Sequence, residues 1–264
     1  MAISVVGSAT GAGGGATITV SLTGLSMLAG DLIMVLSGWA STTDGNPGVT
    51  SPAGFTELAD LYVNFDHDAN MSVAYLIAGA TPPTSVVVTA SGNTNNGSVC
   101  IVVVFRGVDP ITPFSATITT ATGTGSTAIN SPAITPLVAS SWILTMGLTA
   151  GINGQTFTPP GGYTEIVERN SGSSRTRESS AVVAYVPSPP RGVSQDPGAF
   201  TPSGTGAVAS WAAATISLRS KGGKIKYYNG SSWVVKPVKH YNGSTWIEGR
   251  LKRWNGSAWV ETNY

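Results

Sequence analysis

The chain of 264 residues carries few side chains that could do acid–base or nucleophilic chemistry. It has two histidines, His67 and His240, and one cysteine, Cys100, which lies in the apolar run SVCIVVVF and is expected to be a buried small hydrophobic residue. A serine hydrolase would need one of these histidines to serve a Gly-x-Ser-x-Gly turn after a strand, and neither lies near one. We therefore predict no catalytic residue and no enzyme activity.

Two carboxylates occupy matching positions in related segments. Glu57 lies in SPAGFTELADL at 51–61, and Glu165 lies in TPPGGYTEIVE at 158–168. A glycosidase needs two carboxyl groups in different environments within one cleft. Acids that recur because a segment is repeated mark a repeated loop or strand edge more simply, and this is the interpretation we prefer.

The segment NFDHDAN at 64–70 is the best candidate for a metal site. Asp66, His67, Asp68 and Asn70 offer oxygen atoms and an imidazole close together. The segment lacks the central glycine and the distal glutamate of an EF-hand loop, and the second related segment has no counterpart of it. We expect a solvated loop, with a metal site as the alternative, and we predict no cofactor.

Three consecutive segments near the C-terminus share the pattern Φ-Lys-x-(Tyr/Trp)-Asn-Gly-Ser-x-Trp-Φ, in which Φ is apolar. They are Ile225–Pro237, Val238–Arg250 and Leu251–Tyr264. Asn-Gly between aromatic-rich runs is a strong hairpin signal, because both residues tolerate the positive φ of a two-residue type I′ turn. Such a turn in the first repeat would place Tyr228 opposite Ser231.

Each predicted hairpin carries two large aromatic residues in equivalent positions. They are Tyr228, Trp233, Tyr241, Trp246, Trp254 and Trp259. An isolated hairpin is only marginally stable, and Tyr and Trp both anchor protein interfaces and stack on sugar rings. We predict that these residues make assembly contacts, with ligand binding as the alternative. Our hypothesis is that Trp233, Trp246 and Trp259 are mostly buried against neighbouring repeats, the rest of the chain or other subunits.

The elements that position these residues are predicted to be strands throughout. Only 10% of the residues are charged, and short runs rich in β-branched residues are separated by clusters of Gly, Pro, Asn and Ser. Segments 1–110 and 111–220 match each other, for example at GDLIMVLSGWA against SSWILTMGLTA and at SVAYLIAGA against AVVAYVPSP. We predict an all-β fold of two duplicated, jelly-roll-like β-sandwich units, followed by hairpin repeats at 221–264.

Two further points about this organisation concern a segment that could be a helix and the relation between the two sandwich units. Residues 207–218, AVASWAAATISL, are the nearest candidate for a helix, but their alignment with the apolar run at 99–107 predicts a strand. The sequence leaves open whether the two sandwich units are separate or share one core.

Charge is distributed unevenly along the chain. Residues 1–111 hold seven acids and one base, a net charge of −6, whereas residues 220–264 hold eight bases and two acids, a net charge of +6. Opposite ends of opposite sign favour head-to-tail packing of copies, although loops can also differ in charge without consequence. The bases are spread among the repeats as on the polar faces of hairpins, so we predict no nucleic-acid partner.

Nothing in the sequence predicts export or membrane insertion. The first residues, MAISVVGSATGAGGG, lack a basic stretch followed by an apolar one, and no segment has about 18 uninterrupted apolar residues. We expect a chain that folds in a reducing cytosol.

The endings YNGSSWV, YNGSTWI and RWNGSAWV resemble the short Trp-Asn-Gly-Ser-x-Trp repeats of bacteriophage minor tail proteins and other virion appendages. The preceding part resembles an all-β family found in phage structural proteins and some bacterial surface proteins. That likeness is carried by PAGFTEL, SVAYLIAGATPPTSVVV, VVVFRGVDPITPF and AATISLR.

The resemblance implies a non-enzymatic virion structural protein, assembled in the host cytoplasm, with a minor tail or tail-tip role. Its implied partners are copies of itself in a homotrimer or higher oligomer, other virion proteins and a host cell-surface glycan. A capsid decoration or head-fibre protein is an alternative in the same setting. A carbohydrate-binding module of a bacterial surface protein is an alternative of a different class.

Overall fold

The computed structural model describes residues 2–14, 17–41, 49–90, 96–125, 128–172, 177–203, 208–222, 225–236, 239–248, 252–254, 257 and 259–261. Its regular elements are all β-strands, which confirms the all-β prediction. The helix candidate is the strand Val208–Leu218, as the internal alignment predicts. The described residues contain no helix, and therefore none with the length and apolar character needed to cross a membrane.

The first half of the body contains eight strands in two antiparallel sheets. They are β1 (Ser4–Gly13), β2 (Thr17–Ser21), β3 (Leu32–Ser41), β4 (Val49–Thr50), β5 (Thr56–Val63), β6 (Asp68–Ile77), β7 (Ser85–Ala90) and β8 (Ser98–Arg106). The larger sheet has the order β1-β8-β3-β6-β5, and the smaller has the order β2-β7-β4.

The second half contains another eight strands with the same strand order. They are β9 (Thr119–Thr124), β10 (Ile129–Ser131), β11 (Trp142–Gly151), β12 (Thr156–Thr158), β13 (Thr164–Asn170), β14 (Glu178–Pro187), β15 (Gly198–Ser203) and β16 (Val208–Leu218). The sheets read β9-β16-β11-β14-β13 and β10-β15-β12, which are the first-half orders with eight added to each strand number. The jelly-roll assignment of each half stays a prediction.

The two halves also share an irregularity at the same place. A bulge interrupts β5 between Glu57 and Ala59, and another interrupts β13 between Glu165 and Val167. A bulge re-aims the side chains of a strand and is a specific feature of a sheet rather than a random defect. The matching bulges support the pairing of these two strands in the sequence alignment.

One part of the alignment is out of register by one residue. Tyr75 lies opposite Thr56 in the first half, and Tyr185 lies opposite Thr164 in the second, so the two tyrosines are equivalent. The alignment of SVAYLIAGA with AVVAYVPSP instead sets Tyr75 against Ala184. A one-residue slip in a strand exchanges its two faces, and only the pairing of the strands reveals it.

The two halves share one core, a question that the sequence leaves open. The two five-stranded sheets pack face to face and bury apolar side chains from both halves between them. These include Leu36, Met71, Val103, Met146, Leu148 and Val183. Each three-stranded sheet covers the outer face of its own larger sheet, with Val20, Val35, Val86 and Val102 in one layer and Ile129, Phe157, Phe200 and Ala213 in the other. The body, β1–β16, therefore has four layers.

One close packing contact between the halves involves equivalent positions. Gly38 and Leu148 are each the seventh residue of their strands, β3 and β11. A Cβ atom added to Gly38 would lie 2.0 Å from the Leu148 side chain. Because Gly38 has no side chain, it leaves the space that Leu148 fills, and the interior stays densely packed.

After the body come three short antiparallel hairpins. They pair β17 (Ile225–Tyr228) with β18 (Trp233–Lys236), β19 (Lys239–Tyr241) with β20 (Trp246–Glu248), and β21 (Lys252–Trp254) with β22 (Trp259–Glu261). We refer to β17–β22 as the hairpins. Each corresponds to one of the three sequence repeats.

Candidate functional site

The first hairpin closes with a four-residue loop, which corrects the predicted two-residue turn. Tyr228 lies opposite Trp233, not opposite Ser231. The side-chain oxygen of Asn229 accepts hydrogen bonds from the backbone N–H groups of Ser231 (3.0 Å) and Ser232 (2.8 Å). Gly230 takes a φ of +101°, whereas Asn229 keeps a negative φ that a type I′ turn would not allow.

The second hairpin repeats this loop. The side-chain oxygen of Asn242 accepts from the N–H groups of Ser244 (3.0 Å) and Thr245 (2.8 Å), and Gly243 has a φ of +100°. The Asn side chain replaces a backbone acceptor, as in an Asx turn. Asn, Gly and Ser are therefore the residues that this loop needs, and their recurrence is explained by turn chemistry.

The longer loop sets which residues face each other. It places the two aromatic positions of every repeat directly opposite across the hairpin: Tyr228 with Trp233, Tyr241 with Trp246, and Trp254 with Trp259. A two-residue turn would also set Lys226 opposite Trp233, whereas Lys226 lies opposite Val235. Directly opposed residues lie on the same side of a sheet, so the two aromatic positions of each repeat share a face.

The aromatic pair of the second hairpin is displayed to solvent. Tyr241 is 55% exposed and Trp246 is 67% exposed, with ring centroids 5.7 Å apart and ring planes inclined at 52°. Trp254 in the third hairpin is 54% exposed. The hypothesis of burial is therefore wrong for Trp246 as far as the body and the neighbouring repeats are concerned. Contact of Trp246 with another subunit or with a ligand is still open.

The remaining members of the predicted contact set are less fully defined. Tyr228, Trp233 and Trp259 have a place in the strand register, but their side chains lie outside what the structure describes.

Polar residues accompany the displayed aromatic pair. Lys239 and His240 are exposed on β19, and Lys239 lies opposite Glu248 in the register. In the third hairpin Lys252 lies opposite Glu261 in the same way. The exposed aromatic rings can stack on flat apolar groups.

The metal candidates do not come together as a set of ligands. The Asp68 carboxylate is buried and accepts hydrogen bonds from the Phe65 N–H (2.9 Å) and the Tyr62 hydroxyl (3.2 Å). Asp66 points into solvent and lies 3.2 Å from the imidazole Nδ1 of His67. Among the described residues, no group of three or more His, Cys, Asp or Glu side chains is placed to hold a metal ion.

Glu57 and Glu165 lie on the edge strands β5 and β13, which confirms that they mark repeated strand edges. The two edges are on opposite sides of the body, because β5 packs beside β9 and β13 packs beside β1. The two carboxyl groups therefore do not face one cleft. Burial and the neighbouring Glu168 raise the pKa of Glu165, and charge on an edge strand discourages pairing with another sheet.

The single cysteine behaves as predicted. Cys100 is fully buried between the two sheets of the first half, and burial raises the pKa of its thiol to about 12. A thiol in this environment is neutral and unreactive at physiological pH.

The sequence did not reveal an apolar groove of 440 Å³ along one edge of the body. We call it the edge groove; it is lined by Leu58, Phe114, Ser115, Ala116, Thr117, Ile118, Leu137 and Ile216. Its residues come from four separate parts of the chain, so no local pattern predicts it. Leu137 is 58% exposed at this groove.

Comparisons with known proteins identify no relative of this chain. No family model matches the chain, and no curated protein or solved structure is significantly similar to it.

Proposed function

We propose that this protein is a non-enzymatic structural component of a bacteriophage virion, in a minor tail or tail-tip position. The body supplies a rigid platform, and the hairpins make contacts with copies of the chain and with other virion proteins. The observation that carries the proposal is the display of Tyr241, Trp246 and Trp254 on repeated hairpins.

The packing of the body supports a structural role. Six of its strands, β3, β6, β8, β11, β14 and β16, are buried along most of their length, and several buried hydroxyl groups hydrogen-bond within the chain, as in the pair Ser115 and Ser217 at 2.6 Å. A core of this kind supports stability. The surface features of the described chain include the edge groove and the exposed aromatic rings.

The exposed aromatic pair favours a second role, contact with a host cell-surface glycan. Tyr and Trp rings stack on the apolar faces of sugars, and a pair 5.7 Å apart offers a surface of suitable kind. The capsid decoration, head-fibre and bacterial surface-module alternatives use the same surface in other settings.

Localisation in the virion tests this proposal. Antibodies raised against the recombinant chain would be applied to particles of the phage whose genome encodes it and viewed by electron microscopy. We expect gold label at the tail tip. Label over the capsid would favour the decoration or head-fibre alternative, and intact particles without label would contradict a virion role.

A further inference from the structure

The chain contains the dipeptide Asn-Gly five times. Two copies lie in the body, at Asn96 and Asn153, two lie in the hairpin loops, at Asn229 and Asn242, and the last, at Asn255, lies outside the described residues. An Asn-Gly dipeptide can react with itself, because the backbone nitrogen of the glycine can attack the side-chain carbon Cγ of the asparagine, and glycine has no side chain to obstruct the approach. The four described copies place one reaction in different environments.

The two body sites hold the attacking nitrogen in place. The Gly97 N–H donates to the carbonyl of Arg177 (2.8 Å), and the Gly154 N–H donates to the carbonyl of Gly172 (2.9 Å). The main chain is also crowded there, because a Cβ atom added to the glycine would lie 2.9 Å from the acceptor oxygen at Gly97 and 2.6 Å from it at Gly154. Asn96 itself is only 2% exposed. Attack would require the chain to break a hydrogen bond and move within packed structure.

The two hairpin sites leave the attacking nitrogen accessible. Asn229, Gly230, Asn242 and Gly243 are all exposed, and a Cβ atom added to either glycine would meet no atom within 4 Å. The N–H groups of these two glycines make no hydrogen bond with any residue that the structure describes. The main chain at these two sites can therefore move toward the asparagine side chain without losing a hydrogen bond from the glycine nitrogen.

The hairpin loop also polarises the carbon atom that would be attacked. The Oδ1 atom of Asn242 accepts hydrogen bonds from the Ser244 N–H (3.0 Å), the Ser244 hydroxyl (3.0 Å) and the Thr245 N–H (2.8 Å). Asn229 has the same three kinds of donor, from Ser231 and Ser232. Such donors draw electron density away from Cγ and stabilise the negative charge that develops on the oxygen during attack.

We propose that Asn229 and Asn242 are sites of spontaneous self-modification, whereas Asn96 and Asn153 are protected by the fold. In the second hairpin the Gly243 nitrogen forms a bond to Cγ of Asn242, the bond between Cγ and Nδ2 breaks, and ammonia leaves with the proton of the glycine nitrogen. Water then opens the cyclic imide at one of its two carbonyl groups, which gives aspartate or isoaspartate. Water is the only co-reactant.

Either product changes the hairpin. Each event adds one negative charge to the segment 220–264, whose net charge is +6. Isoaspartate also adds a methylene group to the main chain of the loop that sets Tyr241 opposite Trp246, so the register of this aromatic pair should be lost. Aspartate keeps a side-chain acceptor in the loop and should preserve the pair. The inference concerns the chemistry of the loops and holds whether or not the chain is a virion protein.

Incubation of the full chain in mildly alkaline buffer, followed by digestion at acidic pH and mass spectrometry, tests the inference. The conversion of each asparagine would be followed in the folded chain and in the chain unfolded by urea. In urea the four sites should react at similar rates, because the same dipeptide is then equally accessible. In the folded chain, we expect Asn96 and Asn153 to react about tenfold more slowly than Asn229 and Asn242, or more slowly still, because the body must first open locally.

Asn242→Gln is the matched control variant, because it keeps the amide group but would have to close a larger, less favourable ring. It should abolish the reaction in the second hairpin and leave the rate at Asn229 unchanged. Equal rates at the body and hairpin sites of the folded chain would overturn the protection by the fold. Hairpin sites that react in urea but stay unmodified in the folded chain would overturn the self-modification and show that the hydrogen bonds to Oδ1 lock the loop.

Discussion

The body buries several of its largest side chains, although Leu28, Phe65 and Ile111 are exposed on it, whereas the second hairpin exposes both of its aromatic residues. Trp39, Phe105 and Phe200 are at most 1% exposed in the body, whereas Tyr241 and Trp246 in the second hairpin are more than half exposed. Burial of an apolar side chain within its own chain stabilises the fold. An apolar side chain that stays exposed can instead be buried when a partner binds, and its burial then stabilises the complex. The difference is consistent with our proposal that the hairpins provide contacts.

The largest expected effect concerns the joint between the two halves of the body. Gly38→Leu should lower the free energy of unfolding by about 3 kcal/mol or more, because the new side chain occupies the space that Leu148 fills. Since the two positions are equivalent, adding Leu148→Gly should restore part of the loss. Urea unfolding of the single variants and the double variant measures this. Losses that simply add would mean that the two positions do not share one space.

A smaller effect is expected in a hairpin loop. Asn242→Ala removes the acceptor for the Ser244 and Thr245 N–H groups and should destabilise the second hairpin by about 1 kcal/mol. The melting temperature of the body should not change. Asn242→Asp is the matched control, because it keeps an acceptor at the same place. Faster amide hydrogen exchange confined to residues 239–248 would be the expected sign, and slower or unchanged exchange would contradict the role of this side chain.

The smallest expected effect concerns charge at the edge of the body. The folded-state pKa of Asp60 is raised, so the folded chain holds this proton more tightly than the unfolded chain, and stability falls as the pH rises through that range. Asp60→Asn should therefore stabilise the body slightly at pH 7 and have no such effect at pH 3. Thermal melts of the Asp60→Asn variant and the unaltered protein at pH 3 and pH 7 measure this stabilisation. An equal rise in melting temperature at the two pH values would show that ionisation of Asp60 is not the cause.

The contrast between body and hairpins was only partly predictable from sequence. The strand Val208–Leu218 is rich in alanine, and only its alignment with an earlier apolar run identifies it, because tertiary context overrides a weak local propensity. The continuous apolar runs indicate burial on both faces, but they do not reveal that the partner of one half is the other half. That depends on packing such as Leu148 against Gly38.

The candidate site was likewise only partly predictable from the sequence. The recurrence of Asn-Gly-Ser predicts hairpins, but a two-residue and a four-residue loop both suit Asn-Gly, and the Asn229 side chain decides between them. The exposure of Trp246 depends on what lies nearby in space, and the edge groove depends on segments far apart in sequence. Neither property has a local signature.

The most direct test of the account measures mass and stability together on the full chain. Trp246→Ala and Trp254→Ala would be combined and compared with the unaltered protein by light scattering over a range of concentrations and by thermal melting. We predict a lower oligomeric mass with an unchanged melting temperature of the body, because both side chains are exposed in the single chain. An unchanged mass, or a clear fall in the melting temperature of the body, would contradict the assignment of contacts to the hairpins.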